Sequence, residues 1–222
     1  MGARERIEAD AYLAPRWSTS ALITIDTQRD VLDGGALEIA GTSEALPAMA
    51  RLAESFRAAG RPIVHVVRIY ERDGANVDVC RRGAVESGAR MLAPGDSGTE
   101  LAPGLAPAGA PPLDADALLA GELQPLGPGE VAVYKPRWGA FFGTRLEEHL
   151  RAKGVDTLVF CGCNFPNCPR TSIYEASERD FRIVVAADAL SGLYDRGASE
   201  IAGIGSLMLG SDEVCAALGA RA

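Results

Sequence analysis

Short apolar runs alternate along this chain with stretches whose apolar positions fall at helical spacing. "ALITID", residues 21–26, is apolar at nearly every position and ends in an acid. That predicts a strand buried on both faces with Asp26 at its carboxyl end. "SEALPAMARLAESFRAAG", 43–60, has the period of an amphipathic helix and Gly60 as its stop. "PIVHVVRIY", 62–70, is rich in β-branched residues and reads as a second strand. After it the pattern fades: residues 71–129 are rich in Gly and Pro and weakly periodic, predicting a long excursion with little regular structure. Order returns with a strand at "EVAVYK", 130–135, a short helix at "TRLEEHLRAKG", 144–154, and a strand at "DTLVFCG", 156–162. A helix over 169–181 and a strand over 182–190 follow, and helical segments around a break at Gly210 and Ser211 close the chain.

This alternation predicts an α/β fold: a mainly parallel sheet with crossover helices. Ligands in such sheets sit beyond the carboxyl ends of the strands, which is where Asp26, Lys135 and the segment leading to Cys168 fall. With 222 residues, 47% of them hydrophobic, the chain suits one domain over 1–222 and is short for two. The net charge of −8 and the lack of a basic stripe exclude nucleic acid as a partner. No apolar run is long enough to span a membrane, so no membrane partner is expected. "MGARERIEADAYLAPRW" has no apolar core and does not read as a signal peptide, which points to the cytoplasm. Five cysteines, an odd number, then read as free thiols.

"VFCGCNFPNCPRTS", 159–172, carries Cys161, Cys163 and Cys168. Their spacing lacks the paired C-x2-C of zinc modules, and the only histidines, His65 and His149, are far apart in sequence, so no metal and no cofactor is expected. Cys161 lies in a buried strand and Cys163 reads as structural; Cys80 and Cys215 receive no role. Cys168 differs. Pro169 is favoured at a first helical position, so Cys168 sits at or near a helix N-terminus. Unpaired N–H groups and the positive end of the helix dipole surround the sulfur there, which predicts a lowered thiol pKa and a nucleophile. Asp26 is placed to take the thiol proton and return it to a leaving amine. Lys135 is placed to hold both groups, and backbone N–H groups to stabilise an oxyanion.

The motifs "ALITIDTQRDVL", "VYKPRWGAFFGTRLEEHLRAKGVDTLVFCG" and the cysteine turn before "TSIYEASERDFRIVVAADA" resemble, in order, those of the isochorismatase-like cysteine hydrolases. The resemblance runs from about residue 20 to 190. It implies a three-layer αβα fold with a six-stranded mainly parallel sheet, usually assembled as a homodimer or homotetramer. It assigns the catalytic Asp, Lys and Cys to Asp26, Lys135 and Cys168. It also implies a non-proline cis peptide at Cys163–Asn164, with an oxyanion hole built from the backbone N–H groups of Asn164 and Cys168. The chain departs from the family pattern at Pro166, Pro169 and Val31, and Phe165–Pro166 is a second candidate for a cis bond.

Within this family, cysteine-bearing members are amide hydrolases, whereas isochorismatases proper do not need the cysteine. Nicotinamidases add metal ligands after the second strand, and "VVRIYERDGANVD" contains no histidine. The resemblance therefore implies a metal-independent hydrolase of a small amide, carbamoyl compound or lactam. The turn "GCNFPNCPRTS" is similar to a branch that opens the lactam of streptothricin antibiotics. Candidate substrate-binding residues are Tyr70, Arg137, Trp138, Phe165 and Arg170, with Arg68 beside them. Two other classes stand against this reading. A redox protein using Cys163 and Cys168 lacks the C-x-x-C spacing of thioredoxin-like sites. An inactive binding or assembly module of the same fold would be expected to have lost one of the three residues.

Overall fold

The computed structural model describes residues 2–219; residue 1 and residues 220–222 of the expected domain lie outside them. Seven strands form one sheet: β1 (Ser20–Ile25), β2 (Ile63–Val67), β3 (Leu123–Gly127), β4 (Glu130–Tyr134), β5 (Thr157–Gly162), β6 (Arg182–Leu190) and β7 (Leu207–Leu209), in the order β3-β4-β2-β1-β5-β6-β7. Every pairing is parallel except that of β3 with β4. Among the described residues eight α-helices accompany it: α1 (Ala3–Ala9), α2 (Thr42–Ala58), α3 (Val79–Glu86), α4 (Ala115–Leu119), α5 (Leu146–Ala152), α6 (Cys168–Ser177), α7 (Asp195–Gly203) and α8 (Ser211–Gly219).

Successive residues of the inner strands point to opposite faces, as strand geometry requires. Leu22 and Ile63 join Met49, Leu52 and Phe56 of α2 in one core. Ile23, Ile25 and Val64 join Leu146 and Leu150 of α5 and Ile173 of α6 in the other. All residues of β1, β2 and β5 are buried, which explains why their sequences read as unbroken apolar runs. Each face thus buries a continuous hydrophobic layer, the main stabilising term of such a fold.

The sheet has seven strands rather than the expected six. The additional one is β3, an antiparallel edge strand containing Pro125. Proline has no N–H to give to a ladder and is confined to edges, so the pattern concealed this strand. The stretch 71–129 is accordingly more regular than expected, since α3, α4 and β3 lie inside it. β7 is only three residues long and sits between α7 and α8, where the sequence suggested helix alone. Among the described residues, no helix is long and apolar enough to cross a membrane.

Candidate active site

Register brings the predicted groups together. Ile25 lies opposite Val66 of β2 on one side and Gly162 of β5 on the other, and Val67 lies opposite Tyr134 of β4. The next residue along each strand is Asp26, Arg68, Lys135 or Cys163. Four neighbouring strands therefore end within one residue of a common level, on either side of β1, where the chain order of the sheet reverses. Asp26 occupies the left-handed region with φ 50°, which Asp tolerates better than most residues. Gln28, fully buried, donates to Arg68 O and Thr99 O and accepts from Arg68 N, locking the segment after β1 to the segment after β2. Asp30 accepts from Leu92 N at 2.6 Å and fastens the excursion over the sheet end.

Lys135 is fully buried, with Nζ 2.9 Å from Asp26 Oδ2 and donating to Arg137 O at 3.1 Å. Burial opposes its charge, but the Asp26 carboxylate prevails and holds its pKa above that of an ordinary lysine. Asp26 Oδ1 is buried and has no hydrogen-bond partner among the described residues. Cys168 is the first residue of α6, Pro169 follows at the second position, and Asn167 is the N-cap. The thiol is not depressed as its helical position suggested. Burial pushes it up, Asp26 adds to this and Lys135 opposes it, and the balance lies at about 12. With burial and the neighbouring carboxylate both raising it, Cys168 rests as a neutral thiol.

The turn from Gly162 to Cys168 is fixed from both sides. Cys163 N donates to Ile25 O, Cys163 Sγ to Asp26 O, Phe165 N to Ser191 O, and Ser191 N back to Gly162 O. Gly162 has φ 124°, and a Cβ there would run into the Ile25 carbonyl, so no other residue fits. The Cys163–Asn164 peptide is cis, and Phe165–Pro166 is not. Among the described residues neither the Asn164 nor the Cys168 backbone N–H has a hydrogen-bond acceptor. Ser172 Oγ donates to Cys168 O and accepts from Ala140 N, tying α6 to the segment after Lys135. Burial pushes Cys163 well up, and Cys161 likewise, so both rest as thiols.

These groups line one open-mouthed cleft, whose empty space including its mouth is about 420 Å3. Of the predicted substrate-binding residues Arg68 and Trp138 line it, Arg68 buried and Trp138 37% exposed. Tyr70 lies behind the cleft, donating to Asp78 Oδ2 and accepting from Arg81. Phe165 is fully buried and packs edge-on against Tyr194 because its turn folds inward, so it is a core residue. Arg170 is taken by Glu200 and Tyr194 on the surface. Arg137 turns its side chain to backbone carbonyls, and only its own carbonyl serves the site.

Sequence reasoning missed Asp78, Arg81 and Leu92, all from the excursion, together with Leu37, Ile39 and Asn167. The one signal in the excursion was "DVCRRG", a charged cluster at an N-cap residue. Among the described residues, no three His, Cys, Asp or Glu side chains converge as a metal ion would need. The position beside Asp78 is taken by the buried guanidinium of Arg68, which does not suit a divalent cation.

Comparison with known proteins places these features in a context. A model of the isochorismatase domain matches residues 20–203. A probable inactive nicotinamidase of Arabidopsis thaliana is 31% identical over 182 residues, covering 80% of this chain and 83% of that protein. The ureidoacrylate amidohydrolase RutB of Methylobacterium radiotolerans is 27% identical over 191 residues, covering 78% and 67%. The crystal structure of an isochorismatase family protein from Desulfovibrio vulgaris superposes with a TM-score of 0.76 at 30% identity, covering 90% of this chain and 98% of that one.

Proposed function

The chain belongs to the isochorismatase family, and from that premise we propose that it is a cysteine amidohydrolase cleaving a non-peptide C–N bond through a thioester. One observation carries the reading. The buried Lys135–Asp26 pair leaves Asp26 Oδ1 without a partner, beside a thiol at the start of α6. In this mechanism Cys168 Sγ attacks the carbonyl carbon as its proton passes to Asp26. The thiol rests protonated, so base and nucleophile act together. Lys135 holds the carboxylate in place and steadies the developing thiolate. The oxyanion takes the free N–H groups of Asn164 and Cys168; one such donor is typically worth about 2.7–4 kcal/mol of barrier. Asp26 then returns the proton to the departing amine or ammonia, and water activated by the same carboxylate hydrolyses the thioester.

Small amides and carbamoyl compounds are the proposed substrates, with a streptothricin-type lactam as the alternative. The five free cysteines suit a reducing compartment, so the cytoplasm is the proposed location. A homodimer or homotetramer belongs to the same proposal and is read by light scattering. The catalytic test is a panel of small amides, ureides and carbamoyl compounds, followed by intact mass after acid quenching. The expected result is turnover with an acyl adduct on Cys168, and a loss on the order of 10³-fold or more in Cys168→Ala. Undiminished turnover in that variant would overturn the mechanism. No turnover and no adduct across the panel would favour an inactive binding module.

A further inference from the structure

The cleft carries a charge opposite to that of the chain. The protein as a whole has a net charge of −8. Around the cleft, the charged residues are the cations Arg68, Arg81 and Lys135 against the carboxylates Asp26 and Asp78. With Cys168 neutral, one positive charge is left over. Lys135 is paired with Asp26, so the excess lies at the other end, between Arg68, Asp78 and Arg81.

Asp78 cannot satisfy both arginines. Its Oδ2 accepts from Tyr70 OH at 2.9 Å and faces Arg68 Nη2 at 3.4 Å, while Arg81 Nη1 is 3.8 Å away. Arg68 is held by other means: Nη1 donates to Tyr134 OH and Lys135 O, and Nη2 to Asn76 O. Its Nε is buried and has no partner among the described residues, Arg68 being only 2% exposed. Arg81 spends Nη1 on Tyr70 OH at 2.5 Å. Its Nε and Nη2 have no acceptor among the described residues, and its side chain is 29% exposed. A solvated arginine would extend into water. A structural one would use its whole fork. Arg81 does neither: Tyr70 and Asp78 anchor one corner and leave the remaining donors at the cleft that holds Cys168.

We propose that Arg81, backed by Arg68 and oriented by Tyr70 and Asp78, is a subsite for a carboxylate, so that the substrate is a small amide or ureide bearing an acid group. The inference rests on the amidohydrolase reading for the position of the scissile bond at Cys168. A cationic substrate is disfavoured at this end of the cleft. Guanidinium is the side chain best matched to a carboxylate, because its planar fork donates to both oxygens.

The test separates binding from chemistry. Malonamate, succinamate and glutaramate, each beside its neutral diamide, are titrated calorimetrically into Cys168→Ala and into Cys168→Ala/Arg81→Gln. The expected result is that at least one acid binds about ten-fold or more tightly than its diamide, and that Arg81→Gln removes the difference. Equal binding of acid and diamide for all three pairs, or binding of none, overturns the subsite. A preference that survives Arg81→Gln overturns the assignment to Arg81. The same compounds are then offered to the wild-type protein. An acid preference in binding without turnover would leave the subsite standing and remove the hydrolase reading. Turnover without any acid preference would do the reverse.

Discussion

Replacing Lys135 with Met tests whether the centre of the site is a buried ion pair. Lys135 is fully buried and its partner carboxylate is 8% exposed, with Nζ–Oδ2 2.9 Å. Methionine keeps most of the side chain's length and removes the charge. It leaves Asp26 with one oxygen newly orphaned and the other already without a partner. Removing one member of a buried pair typically costs about 3–5 kcal/mol, most of it the penalty of the stranded charge. For a chain of this size that corresponds to a fall in Tm of roughly 6–20 °C. The double variant Asp26→Asn/Lys135→Met removes the stranded charge and should recover about 2 kcal/mol or more, a coupling that a double-mutant cycle isolates. Urea unfolding of the wild type, both single variants and the double variant supplies the four stabilities, and amide turnover is followed in parallel. All three variants should be inactive. A cost below about 1 kcal/mol for Lys135→Met, where breaking a buried pair should cost about 3–5, would refute the reasoning. So would additive losses in the double variant.

Alkylation of Cys168 by iodoacetamide should climb about ten-fold per pH unit from about pH 6 to 9 without a plateau, since the thiol lies at about 12; a plateau below about pH 8, near the ordinary thiol value, would contradict this. Asp26→Asn removes the neighbouring charge that raises the thiol, so Cys168 should alkylate faster at fixed pH while turnover falls. Gly162→Ala forces a side chain into the Ile25 carbonyl at a positive φ and should cost at least about 2 kcal/mol in urea unfolding. His65 is fully buried between Thr24 Oγ1 at 2.8 Å and Glu130 Oε1 at 2.7 Å, and burial lowers its pKa. The folded state therefore resists its protonation, and the stability it contributes is present above about pH 6.5 and is lost as pH falls below that value. Stability measured from about pH 8 to 5, across that window, should decline less steeply in His65→Gln than in the wild type.

Asp26 and Lys135 were legible in the sequence because each closes an unbroken apolar run, and a buried parallel strand writes itself in that way. Cys168 was legible because Pro169 marks a helix start. The direction of its pKa was not, since a sequence shows the helix terminus but neither the burial nor the carboxylate beside it. Arg81 escaped notice because α3 buries none of its residues and so has no apolar period to announce it. β3 was hidden by Pro125, and β7 by its length of three residues. Phe165 misled for a simple reason: an aromatic in a catalytic turn looks like a substrate contact, and only coordinates show it turned into the core.

The level strand ends have a consequence for how the protein tolerates change. Asp26, Lys135 and Cys168 are positioned by the parallel ladders and by the turn pinned to β1, so they persist as long as the sheet does. Arg81 and Asp78 ride on the excursion, whose attachment rests on local contacts such as Asp30 to Leu92 N. In native-state hydrogen exchange the amides of β1, β2 and β5 should report global unfolding, and those of α3 a cheaper, partial opening. The reacting groups and the groups that select the substrate thus belong to different cooperative units. Mutation can redraw the second without disturbing the first, which makes α3 the place where a new substrate preference would arise by the fewest steps.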